Sequence, residues 1–129
     1  MQKKLYDQAC PIARTLDVIG DRWTLLIIRD LFMGRTKFGE LLEACPGLPP
    51  RLLSDRVKRL EEQGLVERVL YSQHPLRAEY HLTPKGRSLF PLLRAIGDWG
   101  LEHMFSDDPE LGERVAQVVK STIPEFQEE

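Results

Sequence analysis

The stretch from Lys37 to Gln63, KFGELLEACPGLPPRLLSDRVKRLEEQ, constrains the fold most: it reads as a short amphipathic helix, a turn broken by Pro46, Gly47, Pro49 and Pro50, and a second helix. The spacing predicts that second helix from about Pro50 to Gln63, with Leu53, Val57 and Leu60 recurring at steps of four and three on one face. Arg51, Ser54, Asp55, Lys58 and Arg59 fall on the other side, and Arg56 lies at the border, where a structural ion pair and a phosphate contact are both open readings. One face is built for burial. The other sets Arg51, Lys58 and Arg59 against a single acid, Asp55. An anionic partner that accepts a helix suits such a face, and the major groove of DNA is wide enough to take one.

The flanking segments supply a scaffold. Met1 to Ala9 reads as a loose arm, and Pro11 suits the first turn of a helix whose buried stripe is Ile12, Leu16 and Ile19, ending near Gly20. Asp21 can cap the next helix, DRWTLLIIRDLFMG, expected to be the most buried, before Gly34 stops it. Thr36 caps a short third helix centred on Phe38, Leu41 and Leu42. After Gly64 the period changes: LVERVLYS alternates like a strand, and AEYHL pairs back with it across SQHPLR, whose tip carries His74, Pro75 and Arg77. Thr83 and Pro84 open a long helix with Leu89, Leu92, Leu93, Ile96, Trp99 and Gly100 along one side. Beyond Pro109 a last helix with Leu111, Val115, Val118 and Val119 runs toward Ser121. A helix pair followed by a basic-tipped hairpin is the winged helix-turn-helix plan, so the expected class is mainly α with a small β-hairpin wing and terminal helices.

Composition narrows the setting. At 129 residues and 42% apolar content, one domain spanning 1–129 is expected. The longest apolar run, Leu25 to Ile28, falls far short of the roughly 18 residues of a membrane span, and no apolar segment follows the basic residues of the N-terminus, so a cytoplasmic protein without a membrane partner is expected. The net charge of −2 hides an asymmetry: Met1 to Gly97 holds 16 Lys and Arg against 11 Asp and Glu, whereas Asp98 to Glu129 holds 2 against 9. Acidity of the whole chain therefore does not exclude nucleic acid, because a local basic face decides.

Several motifs in order carry a resemblance: CP before the first helix, IGDRWTLLIIRDL, FGEL, SDRVKRLEEQGLVER, and Y-x-LTPKGRSL at the exit of the wing. Over roughly 10–100 the chain resembles the HxlR family of bacterial winged helix transcription regulators. The resemblance implies a helix-turn-helix over 37–63, a wing over 65–82 and C-terminal dimerisation helices over 84–121. It further implies a homodimer on a short inverted repeat in promoter DNA, acting as a repressor, with a redox, electrophile or small-molecule input. Cys10 looks like the N-terminal cysteine many members use as a sensor. Pro50 stands where many members have Ser or Pro, and the acidic tail after Ser106 has no counterpart in the family pattern.

The candidate residues follow from these placements. Arg51, near the start of the second helix, is the first choice for a base edge, with Ser54, Asp55, Lys58 and Arg59 beside it. Thr36 and Lys37 at the preceding helix, and His74 and Arg77 at the wing, suit phosphate or minor-groove contacts. Leu89, Leu92, Leu93, Ile96, Trp99 and Met104 offer more apolar surface than one flank of a small domain covers, which points to a dimer interface. Cys10 and Cys45 are too few for a disulfide scaffold; each is a small hydrophobe or a redox group, and Cys10, just ahead of a helix N-terminus, is the stronger sensor candidate. His74, His81 and His103 lack metal spacing, and no hydrolase, phosphate-loop or dinucleotide motif is present, so neither a metal, a cofactor nor an enzyme is expected. The rival reading is a winged helix protein-protein module, which would present an apolar or acidic face on the second helix where this one is basic.

Overall fold

The computed structural model describes residues 9–127, so the expected loose arm lies outside it except for Ala9. Helix α1, Pro11–Ile19, begins at the proline, and Ile19 reaches the core. The expected buried stripe fails for its other two members: Ile12 is 71% and Leu16 55% exposed. Only the C-terminal end of α1, Val18 and Ile19, packs against the core.

Helix α2, Thr24–Phe32, carries Ile27, Ile28, Leu31 and Phe32 into the centre. Asp21 accepts from the backbone amides of Trp23 and Thr24 and from the Thr24 hydroxyl, doing the work of a cap one turn ahead of the helix. Gly34 follows with φ of +89°, a conformation costly for any side chain, and turns the chain away.

Helix α3, Phe38–Ala44, is capped differently from expectation. Lys37 occupies the N-cap, and the Glu40 carboxylate reaches back to accept from the amides of Thr36 and Lys37, at 3.2 and 3.0 Å. Helix α4, Pro50–Glu62, starts where its prolines predict, because a missing N–H costs nothing in the first turn. Its Leu53, Val57 and Leu60 are buried with Leu41 and Leu48, so the two helices share one apolar seam.

The wing is an antiparallel pair, β1 (Val66–Gln73) and β2 (Leu76–Leu82), in register from Val66 opposite Leu82 to Leu70 opposite Ala78. The strands run closer to the tip than expected, so Arg77 sits in the ladder opposite Ser72 rather than at the turn. The Tyr80 amide donates to the Thr36 carbonyl at 2.8 Å, and Lys37 bridges to Glu79, which ties the wing to the entry of α3.

The single long helix expected after Thr83 is two. Helix α5, Pro84–Arg87, is followed by α6, Phe90–His103. The break has a simple cause: Pro91 has no N–H to donate to the Arg87 carbonyl. Helix α7, Pro109–Thr122, is capped by Asp108, whose carboxylate accepts from the Leu111 amide at 3.1 Å. The chain then turns through Ile123, buried in the core, into a short α8, Pro124–Gln127, that the sequence pattern did not announce.

Candidate nucleic-acid interface

Burial of Leu53, Val57 and Leu60 orients α4 and leaves Arg51, Ser54 and Lys58 exposed. Asp55 is exposed too, but it pairs with Arg56. Arg56, only 18% exposed in its side chain, also donates through Nε to Asp21 at 2.9 Å, so the border position resolves as a structural ion pair. Arg59 is exposed as well, and its guanidinium donates to the Asp17 carbonyl near the end of α1, at 3.1 Å. Two arginines therefore fasten α4 to the first helix and the loop after it.

Asp21 is the hub of this fastening. Burial raises its carboxyl, but hydrogen bonds from Thr24, Arg56 and the Trp23 amide outweigh that, and it lies below the ordinary value of 3.8. Glu40 is likewise held below its ordinary value, first by the Lys37 amide that it caps.

An open groove of about 710 Å³ lies between α3, α4 and the wing. Lys37, Ser54, Arg68, Tyr71 and Arg77 line it, with Glu40 and Glu43 on the α3 side. Thr36 is half-buried with its amide engaged by Glu40, and His74 is exposed at the hairpin tip, outside the groove lining. Sequence reasoning missed Arg68 and Tyr71. Arg68 was legible in principle, since it stands opposite Tyr80 on the ladder; Tyr71 had no sequence signal, because its direction depends on an irregularity in β1.

Of the two cysteines, Cys10 is half-exposed at the N-cap of α1. Cys45 belongs to the core instead: it is 3% exposed and donates to Asp30 at 3.3 Å. Burial, then the hydrogen bond and charge of Asp30, push its thiol up to about 11, so the thiolate is scarce at neutral pH. Oxidation of Cys45 requires opening the core first. Asp30 itself is 1% exposed and is clamped by Arg29 and Arg35.

Of the residues expected at the dimer interface, Leu92, Ile96, Trp99 and Met104 are exposed, as are Ile12 and Leu16 on α1, whereas Leu89 and Leu93 pack partly against the core. Among the described residues no group of His, Cys, Asp or Glu gathers as a metal site, and no helix is long and apolar enough to cross a membrane.

A buried helix pair, an outward basic helix face and a tied wing define a winged helix regulator of transcription. The model of the HxlR-like helix-turn-helix family matches residues 18–108, and the chain belongs to that family. The HTH-type transcriptional regulator Rv3095 of Mycobacterium tuberculosis is 44% identical over 93 residues, covering 72% of this chain and 58% of that protein, so the chain spans little more than half of that relative. Among solved structures, PA1607 is 46% identical with a TM-score of 0.71 over 81% of this chain and 73% of its own. The redox regulator HypR in its reduced form is 35% identical with a TM-score of 0.69, over 73% and 93%. These relatives are regulators, and this chain is a transcriptional regulator of the helix-turn-helix type rather than an enzyme.

Proposed function

We propose that the protein binds promoter DNA in the cytoplasm as a homodimer on an inverted repeat and represses by occupying the site. The observation that carries this is the division of α4: Leu53, Val57 and Leu60 are buried while Arg51, Ser54 and Lys58 are exposed, beside a groove bearing Lys37, Arg68 and Arg77. Arg51 at the first turn of the helix reads a base edge; Asp55 adjoins it, and Lys58, Lys37, Arg68, Arg77 and His74 take the backbone. The second copy is held through Leu92, Ile96, Trp99 and Met104 of α6 with Ile12 and Leu16 of α1, large apolar side chains that the single chain leaves exposed.

The input reaches α4 through α1. Cys10 starts that helix and Arg59 ties its other end to α4, so a change at the thiol, or a small molecule wedged against α1, shifts the reading helix. HypR, a redox regulator, supports the thiol as the sensing group. The test is selection of bound sequences from random duplex DNA, repeated after mild oxidation and with Cys10→Ser. A palindromic consensus that oxidation abolishes in the wild type but not in Cys10→Ser supports the reading, and recovery of no consensus overturns it.

A further inference from the structure

The ladder of the wing is regular from Val66 opposite Leu82 to Leu70 opposite Ala78 and resumes at Ser72 opposite Arg77, which leaves Tyr71 as an extra residue in β1. In an unbroken strand, side chains three positions apart point to opposite faces, so Arg68 and Tyr71 would part company. The bulge lets both line the same groove. There the Tyr71 ring, 46% exposed, stands 5.3 Å from the Lys37 ammonium. The backbone on the Lys37 side is held, since Lys37 forms a backbone β-bridge with Glu79 and the Tyr80 amide donates to the Thr36 carbonyl, while Tyr71 is flanked by the paired residues Leu70 and Ser72.

The start of α3 is already occupied by a carboxylate: Glu40 accepts from the Thr36 and Lys37 amides. Those amides are therefore not what this corner offers an anion, and the Lys37 ammonium is. Its stem has four rotatable carbons, and freezing them on a phosphate costs conformational entropy that a preformed contact reduces. A ring face holds an ammonium without consuming its three N–H donors.

We propose that Tyr71 is a positioning residue, turned into the groove by the bulge so that its ring holds the Lys37 ammonium where it meets a DNA phosphate. This rests on the DNA-binding reading above.

Binding of a labelled random-sequence duplex is measured over a series of salt concentrations for wild type, Lys37→Ala, Tyr71→Ala, Tyr71→Phe and the double variant Lys37→Ala/Tyr71→Ala. Lys37→Ala lowers the salt slope by about one. Tyr71→Ala weakens binding about two- to fivefold at low salt, Tyr71→Phe binds like wild type, and adding Tyr71→Ala to Lys37→Ala changes nothing further. An equal loss from Tyr71→Ala in both backgrounds, whether by damage to the wing or by direct contact with DNA, overturns the positioning role. So does a loss in Tyr71→Phe matching that in Tyr71→Ala, since the phenol oxygen would then be the working atom. A wild type that binds no duplex at all overturns the DNA reading itself, which sets that failure apart from the others.

Discussion

Replacing Asp21 with alanine removes one carboxylate that serves three partners, and the cost follows from each. The amides of Trp23 and Thr24 lose their cap, worth about 1 kcal/mol. The Thr24 hydroxyl, on a residue 2% exposed, loses its acceptor, worth about 1 kcal/mol. The ion pair with Arg56 at 2.9 Å lies between the exposed and buried limits, with side chains 18% and 26% exposed, and Arg56 keeps Asp55, so about 1 kcal/mol is the fitting figure. The sum is roughly 3 kcal/mol, or a fall in midpoint temperature on the order of 10 °C for a chain of this size. Asp21→Asn keeps an acceptor oxygen and loses the charge, so about a third of that loss is expected. Urea unfolding at one fixed protein concentration is the assay, because the proposed dimer would add mass action to apparent stability. The pH dependence has a definite sign. A carboxyl depressed below 3.8 in the folded state contributes stability that is fully present above that value and is lost as pH falls through the folded value, so the gap between wild type and Asp21→Asn closes in acid below about pH 4. A loss under about 1 kcal/mol for Asp21→Ala, or a gap unchanged down to strongly acid pH, refutes the reasoning.

Three further outcomes are expected. Arg51→Ala weakens specific binding by about 1 to 3 kcal/mol and relaxes preference at one base pair per half-site, whereas Lys37→Ala weakens all sequences nearly alike; unchanged preference for Arg51→Ala in a binding-site selection removes α4 from the groove. Ile96→Glu, at a position 48% exposed, converts dimer to folded monomer in sedimentation at micromolar concentration, and a wild type that already sediments as monomer refutes the interface. With a thiol at about 11, Cys45 is thiolate in only about one molecule in a thousand at pH 8, so a chromogenic disulfide titrates one thiol, Cys10, in the folded protein and two after denaturation; rapid titration of both in the folded state refutes the burial argument.

The helix-turn-helix was legible because its signals are local. The steps from Leu53 to Val57 to Leu60, the prolines at the turn and at the start of α4, and Gly34 after α2 each act within a few residues, and all hold in the structure. The wing was legible as a pair of strands for the same reason, through its alternation and the turn residues between them. Exposure was less legible: Ile12 and Leu16 keep the helical spacing of a core stripe yet stand in solvent, because periodicity shows that a face is apolar and not whether anything covers it.

By itself, the sequence determined the order of elements as far as the wing, the apolar seam under α4 and the basic character of its outer face, since backbone period and side-chain chemistry are properties of neighbours in the chain. Only the tertiary structure decided where those charges point. Arg59 turns to a carbonyl 42 residues away, Arg56 to Asp21, Cys45 into the shelter of Asp30, and Tyr71 across a bulge toward Lys37. Long side chains and ladder irregularities are settled by the partner that lies within reach once the helices have packed, and that partner is distant in sequence, so no local pattern carries the information.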